Sequence, residues 1–404
     1  MTKITAPKMV YIKGEEMTTY AMNLIVEQWI KPNIDISNWE FYDLSCKSRD
    51  DTKDQVLKDV IEAGKKIRSI FKEPTISPTQ DQATEMGLSK AWGSPNGTMR
   101  RGWNGISISR DTIHPDGVEV GYKNKILFDR EAVGGEYNAQ FAPVERAGTA
   151  VTTIHPADGS TPYEVIRREI GDNEVLVEYT NLINNAEPLA HHFFKRSLEA
   201  KVTPHVVTKK TVFKFQEAFW GVMKKVFDEH YKADFLNAGL LESTRGELSH
   251  VISDAACMKL VAWKDGGYSF VSHNYDGDML TDLMSQIQRS PAFITSVLTG
   301  VTDDGLEIKE FEASHGTVSD MYKRHLDGIE TSMNPLGLVE ALTSAMNFAA
   351  KLESEEKEIE IKEFTGRILS AMYSLMKEGK GTRDVSGESG LSTENFVAAV
   401  AEKI

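Results

Sequence analysis

The stretch Asn274-Tyr275-Asp276-Gly277-Asp278, followed by Asp282, decides how this chain is interpreted. If the residues after Gly277 are helical, Asp278 and Asp282 are four positions apart and share one face of the helix. Carboxylate oxygens are the ligands that hard divalent cations prefer, so the two side chains could hold one ion. The same spacing is also common on solvated helix faces, and the pair alone leaves both interpretations open.

Two further segments help to decide between a metal site and a solvated helix face. The first is Ser94-Pro95-Asn96-Gly97-Thr98-Met99-Arg100, and the second is Glu312-Ala313-Ser314-His315-Gly316-Thr317-Val318, with Asn334-Pro335 downstream. The first combines hydroxyl, amide and guanidinium groups in one short segment.

Bulk composition indicates a globular protein with a large core. The chain has 404 residues, of which 40% are hydrophobic and 26% charged, and its net charge is -14. An acidic surface disfavours a general nucleic-acid binder, so we expect no nucleic-acid partner. No apolar run reaches the roughly 18 residues of a membrane span, so we expect no membrane partner. The two cysteines, Cys46 and Cys257, are expected to be reduced thiols.

Hydrophobic periodicity predicts an α/β fold. A buried strand at 9–12 and a second at 41–44 alternate with helical patterns, including one at 52–71 with Asp51 as its N-cap. Residues 105–127 and 151–179 have a β-like pattern. Further helices are expected at 187–198, 215–233, 248–258, 337–352, 359–377 and 392–403.

Together, the three motifs make the chain resemble the dimeric isocitrate dehydrogenases, in the eukaryotic-type branch of the β-decarboxylating dehydrogenases. The resemblance covers essentially the whole chain. It implies the isocitrate/isopropylmalate dehydrogenase-like fold, with large and small α/β domains and a β-rich clasp between the subunits of a homodimer. The implied bounds are 1–103 with 290–404 for the large domain, 104–134 with 186–289 for the small domain, and 135–185 for the clasp.

The resemblance assigns isocitrate as substrate and Mg²⁺ or Mn²⁺ as metal. Its substrate-binding residues would be Ser94, Asn96, Arg100, Arg110 and Arg130. Metal ligands would be Asp278 and Asp282, with a third Asp supplied by the neighbouring subunit. The matching position for that third ligand is Ser253, and we expect Asp254 beside it to take the role, the alternative being an additional water molecule.

Two residues match the catalytic acid and base of the family. Lys209, within Val207-Thr208-Lys209-Lys210-Thr211, would reach across the dimer and take the substrate hydroxyl proton through a relay. Tyr137 would return a proton to the enol. The family usually has Arg-His-Ala before this tyrosine, where this chain has Arg130-Glu131-Ala132, so the local charge differs.

The cofactor loop departs from the NADP-dependent relatives, which follow His-Gly-Thr-Val-Thr with Arg-His. Here Ser319 is followed by Asp320 and Met321. A 2′-phosphate would be repelled by a carboxylate at about 4 Å by roughly 4 kcal/mol per unit charge at an effective dielectric near 20, whereas a carboxylate accepts a hydrogen bond from a ribose 2′-hydroxyl. Gln82 likewise stands where those relatives have Arg, and we therefore expect NAD. The remaining cofactor-binding residues implied by the resemblance are Thr75, Ser77, His315, Gly316, Thr317, Val318 and Asn334.

The main prediction is NAD-dependent oxidative decarboxylation of isocitrate to 2-oxoglutarate and CO₂, within the tricarboxylic acid cycle. Three alternatives stay open: an NADP-dependent enzyme, a non-catalytic regulatory subunit, and a relative acting on isopropylmalate or homoisocitrate. We expect a soluble protein, in the mitochondrial matrix if a transit peptide has been removed and otherwise in the cytoplasm.

Overall fold

The computed structural model describes residues 3–404, that is, all of the chain except its first two residues. The strands are β1 Ile4–Thr5, β2 Met9–Lys13, β3 Ile34–Asp35, β4 Trp39–Asp43, β5 Ser69–Lys72, β6 Ser107–Ser109, β7 Leu127–Glu131, β8 Gln140–Val144, β9 Gly148–Ile154, β10 Tyr163–Ile170, β11 Glu174–Glu178, β12 Thr203–Thr208, β13 Ser249–Ile252, β14 Tyr268–Ser272, β15 Thr295–Val301 and β16 Glu307–Ala313. The helices are α1 Glu16–Ile25, α2 Cys46–Asp51, α3 Gln55–Ile67, α4 Gln80–Glu85, α5 Pro95–Gly102, α6 Ala186–Glu199, α7 Gln216–Val226, α8 Lys232–Asn237, α9 Ser253–Ala262, α10 Asn274–Gln288, α11 Ser319–Leu326, α12 Leu336–Glu353, α13 Glu355–Lys377, α14 Arg383–Ser386 and α15 Thr393–Ala401.

One ten-stranded sheet organises most of the chain, in the order β13-β12-β14-β7-β6-β15-β16-β5-β2-β4. The strands β13, β12, β14 and β7 are parallel to one another, and so are β16, β5, β2 and β4. The central strands β6 and β15 are antiparallel to each other and to their outer neighbours β7 and β16. The expected α/β class is confirmed.

Both faces of the sheet are covered because its strands are apolar on both sides. On β2, Met9 and Tyr11 pack into one core cluster with α1, α12, α13 and α15, while Val10 and Ile12 pack into another with α3. The adjacent residues Val206 and Val207 on β12 divide in the same way between two further clusters.

Residues 134–182 form a separate compact unit. It consists of two antiparallel ribbons, β8 paired with β11 and β9 paired with β10. The β-rich character expected here is confirmed. The proposed division of the rest into a large and a small domain stays a prediction, and one sheet runs through both sets of segments.

The expected bounds of two helices are wrong. The pattern at 52–71 is a helix only over Gln55–Ile67, because Arg68 adopts a left-handed conformation (φ 70°) and Phe71 lies in β5. Asp51 ends the short helix α2 rather than capping the next one, and Ser45 caps α2. The segment 248–258 begins as β13 and becomes helical at Ser253.

The helices predicted for the last third are confirmed, with bounds within a few residues. Both cysteines are free, as expected. Among the helices of residues 3–404, none is both long and apolar enough to cross a membrane.

Candidate active site

The ends of four parallel strands bring predicted site residues to one edge of the sheet. Arg130 lies near the end of β7, Lys209 follows β12, Asp254 comes two residues after β13, and α10 begins two residues after β14. Ligands of open α/β sheets bind beyond the carboxyl ends of such strands.

The helix predicted after Gly277 is confirmed, and it directs Asp278 and Asp282 at two buried arginines. Arg130 Nη2 lies 2.8 Å from Asp278 Oδ1, and Arg110 Nη1 lies 3.3 Å from the same oxygen. Arg110 Nη1 also donates to Asp282 Oδ1 at 3.2 Å and to Thr281 Oγ1 at 3.1 Å. The candidate metal ligands and two candidate substrate-binding residues therefore form one cluster.

Gly277 allows this cluster to form. A Cβ at this position would lie 2.5 Å from Arg130 Cβ and 2.7 Å from Ser272 Oγ. Real Cβ atoms do not approach so closely, so any larger residue would push α10 away from β7. This close packing explains why the motif has glycine at position 277.

The aspartate pair fits a hard divalent cation. Partial desolvation of the Asp282 carboxyl raises its pKa above the ordinary value, and repulsion by Asp278 raises it further. The Arg110 and Arg130 charges oppose both effects. A cation at the two carboxylates would favour their ionised forms. Within residues 3–404, no three His, Cys, Asp or Glu side chains gather into a metal-holding group, so Asp254 of the same chain does not complete the pair.

The segment Ser94–Arg100 forms the start of α5 in a conformation suited to binding. Ser94 is the exposed N-cap residue, and its side chain makes no capping hydrogen bond. Asn96 Oδ1 is buried with no hydrogen-bond partner among residues 3–404. Arg110 Nε is likewise buried and has no hydrogen-bond partner within residues 3–404. Buried polar atoms are normally paired, so these atoms indicate a place for a polar ligand.

Arg100 contacts a buried cluster of charged side chains that the sequence did not predict. Its Nη2 lies 3.9 Å from Glu312 Oε1, while Lys72 Nζ bonds Glu312 Oε2 at 2.8 Å. Burial, together with repulsion by Glu312, raises the pKa of Glu310 to about 8. Burial opposes ionisation of Glu312 too, but Lys72 and Arg100 outweigh it and lower its pKa. Of the two carboxyls, Glu310 therefore holds a proton at neutral pH, whereas Glu312 is ionised.

Lys209 and Asp254 meet in an ion pair within one chain. The hydrogen bond from Lys209 lowers the pKa of Asp254. The structure thus brings together the candidate base and the candidate third metal ligand. The other catalytic candidate, Tyr137, lies in a 3₁₀ turn of the separate unit and is 51% exposed.

The cofactor loop is fixed by a residue that sequence analysis missed. Thr317 and Ser319 both donate their hydroxyls to Glu16 Oε2, which stands at the start of α1. Between them, Val318 has φ 59° and ψ 50°. A β-branched residue rarely adopts this conformation, and such strain is typical of functional loops. The Glu15-Glu16 sequence after Gly14 gave no signal of this contact.

Beyond Val318 the loop leaves Asp320 exposed in the first turn of α11, while Met321 packs against the main core. His315 Nδ1 lies 2.9 Å from the Gly316 carbonyl oxygen, and desolvation lowers the pKa of its imidazole. Gly316 itself is exposed.

The remaining cofactor candidates lie in two places. Asn334 donates to Asp384 Oδ2 at 2.9 Å and accepts from the backbone of Leu336. Thr75 and Ser77 lie in the loop between β5 and α4. Gln82 has a structural role, because its side chain forms a capping box with Thr79 at the start of α4.

The fold, and a candidate site in which two aspartates meet two buried arginines, fit the class of metal-assisted dehydrogenases that act on small polycarboxylates. The family model described as isocitrate/isopropylmalate dehydrogenase matches residues 8–400, and the chain belongs to that family.

The chain is 55% identical over 412 residues to "Isocitrate dehydrogenase [NAD(+)] 1, mitochondrial" of Phaeodactylum tricornutum, covering 100% of this chain and 75% of that protein. It is 56% identical over 407 residues to "Isocitrate dehydrogenase (NAD(+)), mitochondrial" of Ostreococcus tauri, covering 100% and 86%. The crystal structure of isocitrate dehydrogenase from Ostreococcus tauri in complex with isocitrate and magnesium(II) superposes with a TM-score of 0.93 at 56% identity, over 100% of both chains.

Proposed function

We infer that this protein is an NAD-dependent isocitrate dehydrogenase, which converts isocitrate and NAD⁺ into 2-oxoglutarate, CO₂ and NADH. The observation that carries this inference is the meeting of the buried Arg110 and Arg130 on Asp278, which joins anion-binding and cation-binding groups in one cluster. Whole-chain similarity to NAD-dependent isocitrate dehydrogenases supports the same activity.

Isocitrate carries three carboxylates, and the site offers three guanidinium groups. Arg100, Arg110 and Arg130 would bind them, since guanidinium groups match carboxylates in geometry and charge. The Ser94 hydroxyl, which makes no capping hydrogen bond, and the unpaired Asn96 Oδ1 would orient the substrate.

Asp278 and Asp282 would hold Mg²⁺ or Mn²⁺, with Asp254 of a second copy as the third ligand. When bound, the metal polarises the substrate hydroxyl and offsets the charge that develops on decarboxylation, and NAD⁺ accepts the hydride. Arg110 and Arg130, which neutralise the aspartates in the present structure, would then turn to the substrate carboxylates.

Lys209 would take the hydroxyl proton, and its contact with Asp254 keeps it beside the third ligand position. One substrate carboxylate leaves as CO₂. The electrons of the broken C–C bond then stay on the carbon that carried this carboxylate. Tyr137 would supply the proton that completes 2-oxoglutarate.

NAD would bind along 315–321, with Thr75 and Ser77 near the nicotinamide ribose and Asn334 on the adenosine side. The exposed carboxylate of Asp320 would accept a hydrogen bond from the ribose 2′-hydroxyl and repel a 2′-phosphate.

A homodimer completes the site in this proposal. On α9, Met258 and Val261 are exposed, and on α10, which packs against α9, Met279 is exposed. The separate unit is made of two-stranded ribbons with exposed apolar side chains such as Phe141. Two-stranded ribbons are marginally stable alone, and exposed apolar patches mark interfaces. A second copy of the chain would cover both surfaces, and the ribbons would form the clasp.

The two curated relatives are named mitochondrial, which supports the mitochondrial matrix as the location and the tricarboxylic acid cycle as the pathway of this enzyme.

The activity is tested with purified protein, isocitrate, NAD⁺ and MgCl₂ or MnCl₂, by following NADH absorbance and 2-oxoglutarate. We expect turnover that needs the metal and is abolished by EDTA. Isopropylmalate should not replace isocitrate. Absence of turnover with every metal and cofactor combination would refute the proposal.

A further inference from the structure

The two buried arginines of the site each have an acidic neighbour on the opposite face of the sheet. Arg110 is followed by Asp111 just after β6, and Arg130 is preceded by Asp129 on β7. Successive residues of an extended chain point to opposite faces. Because β6 and β7 pair at Ser109 and Asp129, the two acidic side chains lie side by side behind the site.

Arg196 of α6 bridges these two carboxylates. Its Nη1 bonds Asp129 Oδ2 at 2.5 Å, and its Nη2 bonds both oxygens of Asp111 at 2.8 and 2.7 Å. Asp129 is fully buried and accepts two more hydrogen bonds, from Ser107 Oγ at 2.8 Å and Ser109 Oγ at 2.5 Å.

Two further basic residues lie near these carboxylates, but each approaches only one of them. His192 Nε2 lies 3.5 Å from Asp129 Oδ1, and Lys125 Nζ lies 3.6 Å from Asp111 Oδ2. Arg196 is the group within residues 3–404 that contacts both carboxylates. Truncating one partner of a buried ion pair leaves the other charge uncompensated, which strongly destabilises the local arrangement.

We propose that Arg196 is a positioning residue for isocitrate binding. By clamping Asp111 and Asp129, it fixes the backbone of the two segments that carry Arg110 and Arg130, and so sets the separation of their guanidinium groups on the other face of the sheet. The proposal rests on the proposed function, because it assigns the two arginines to the substrate carboxylates. Nothing in the sequence signals this role, since Arg196 lies 66 positions from Arg130 on a helix without a motif.

The test compares Arg196→Met with Arg196→Lys and the wild type. A misplacement of about 1 Å in a binding group can cost up to a hundredfold in rate, so we expect Arg196→Met to raise KM for isocitrate at least tenfold. KM for NAD⁺ should stay unchanged, because residues 315–321 do not contact the clamp. Arg196→Lys keeps the charge but cannot bridge two carboxylates in the same geometry, so its KM should be intermediate.

A control separates positioning from general destabilisation. Tyr373 donates a hydrogen bond to Glu340 between α12 and α13, and Tyr373→Phe removes it. This variant should lower Tm without changing KM for isocitrate. If Arg196→Met merely lowers the fraction of folded enzyme, with KM for isocitrate unchanged, the proposal is wrong.

Crystal structures of the variants give a readout that needs no turnover. In Arg196→Met, or in Asp111→Asn if the former does not fold, the Arg110 and Arg130 contacts with Asp278 should lengthen. Unchanged contacts would contradict the positioning role of Arg196, whether or not the enzyme is active. If the wild type is inactive but the contacts lengthen in the variant, the proposed function is wrong and the structural effect of Arg196 is still supported.

Discussion

Arg130 places its Nη2 atom 2.8 Å from Oδ1 of Asp278, although 148 residues separate the two in the sequence. The contact joins the end of β7 to the first turns of α10. It requires Gly277, because the helix backbone passes directly over the Arg130 side chain.

Gly277→Ala should therefore displace Arg130 or α10. We expect KM for isocitrate to rise at least tenfold, since the added Cβ would lie 2.5 Å from Arg130 Cβ. Steady-state kinetics measures the change. The matched control is Gly366→Ala in α13, where nothing lies within 4 Å of the new Cβ. That variant should keep its KM and gain about 0.5–1 kcal/mol of stability, as Ala replaces Gly in a helix. Equal kinetics for both variants would show that the close approach has no functional consequence.

Mixing two inactive variants tests whether the active site is shared between chains. Lys209→Met lacks the candidate base, and Asp278→Asn lacks a candidate metal ligand, so each should lose about a thousandfold or more in rate. In a mixed dimer with shared sites, one site has both defects and the other has none. Since about half of the dimers are mixed after random exchange, activity should return to about a quarter of the wild type. If each site is built from one chain, the mixture stays inactive.

The proton held by the buried Glu310 predicts a pH-dependent stability. Burial, with repulsion by Glu312, raises the pKa of Glu310 from an ordinary 4.5 to about 8. The folded state thus binds a proton that the unfolded state releases above its ordinary pKa. This contribution to stability is fully present below about pH 4.5 and is lost as the pH rises through 8.

Glu310→Gln should remove that dependence. The Tm of the variant minus the Tm of the wild type, measured by calorimetry, should increase by a few degrees between pH 6 and pH 9. Glu356→Gln, an exposed change on α13, is the control and should give a difference that does not vary with pH. A flat difference for Glu310→Gln would mean that the carboxyl is ionised throughout this range.

The helices and strands that depend on a pattern within one segment were predictable from the sequence. The helix that carries Asp278 and Asp282, the strand at 9–12 and the C-terminal helices follow from periodicity within single segments. The helix expected to reach Phe71 was wrong because its apolar spacing continues past Arg68, where the backbone turns into a left-handed conformation and a strand begins. Periodicity alone does not detect such a break.

Contacts between distant segments were not predictable in this way. Glu16 binds the cofactor loop some 300 positions away, and Lys72 pairs with Glu312 across adjacent strands. Each of these residues is an ordinary charged side chain in its own segment. Their roles depend on which strands become neighbours, and the sheet order is a property of the whole chain.

We propose that this isocitrate dehydrogenase selects NAD through Asp320 and Met321 of its cofactor loop. The most direct measurement is the initial rate with isocitrate and Mn²⁺, using NAD⁺ and NADP⁺ in parallel, for the wild type and for Asp320→Arg/Met321→His. We predict a strong NAD⁺ preference in the wild type and a shift toward NADP⁺ in the double variant, because a cationic pair replaces the carboxylate that repels the 2′-phosphate. A wild type that prefers NADP⁺, or a double variant with an unchanged preference, would contradict this account of the loop.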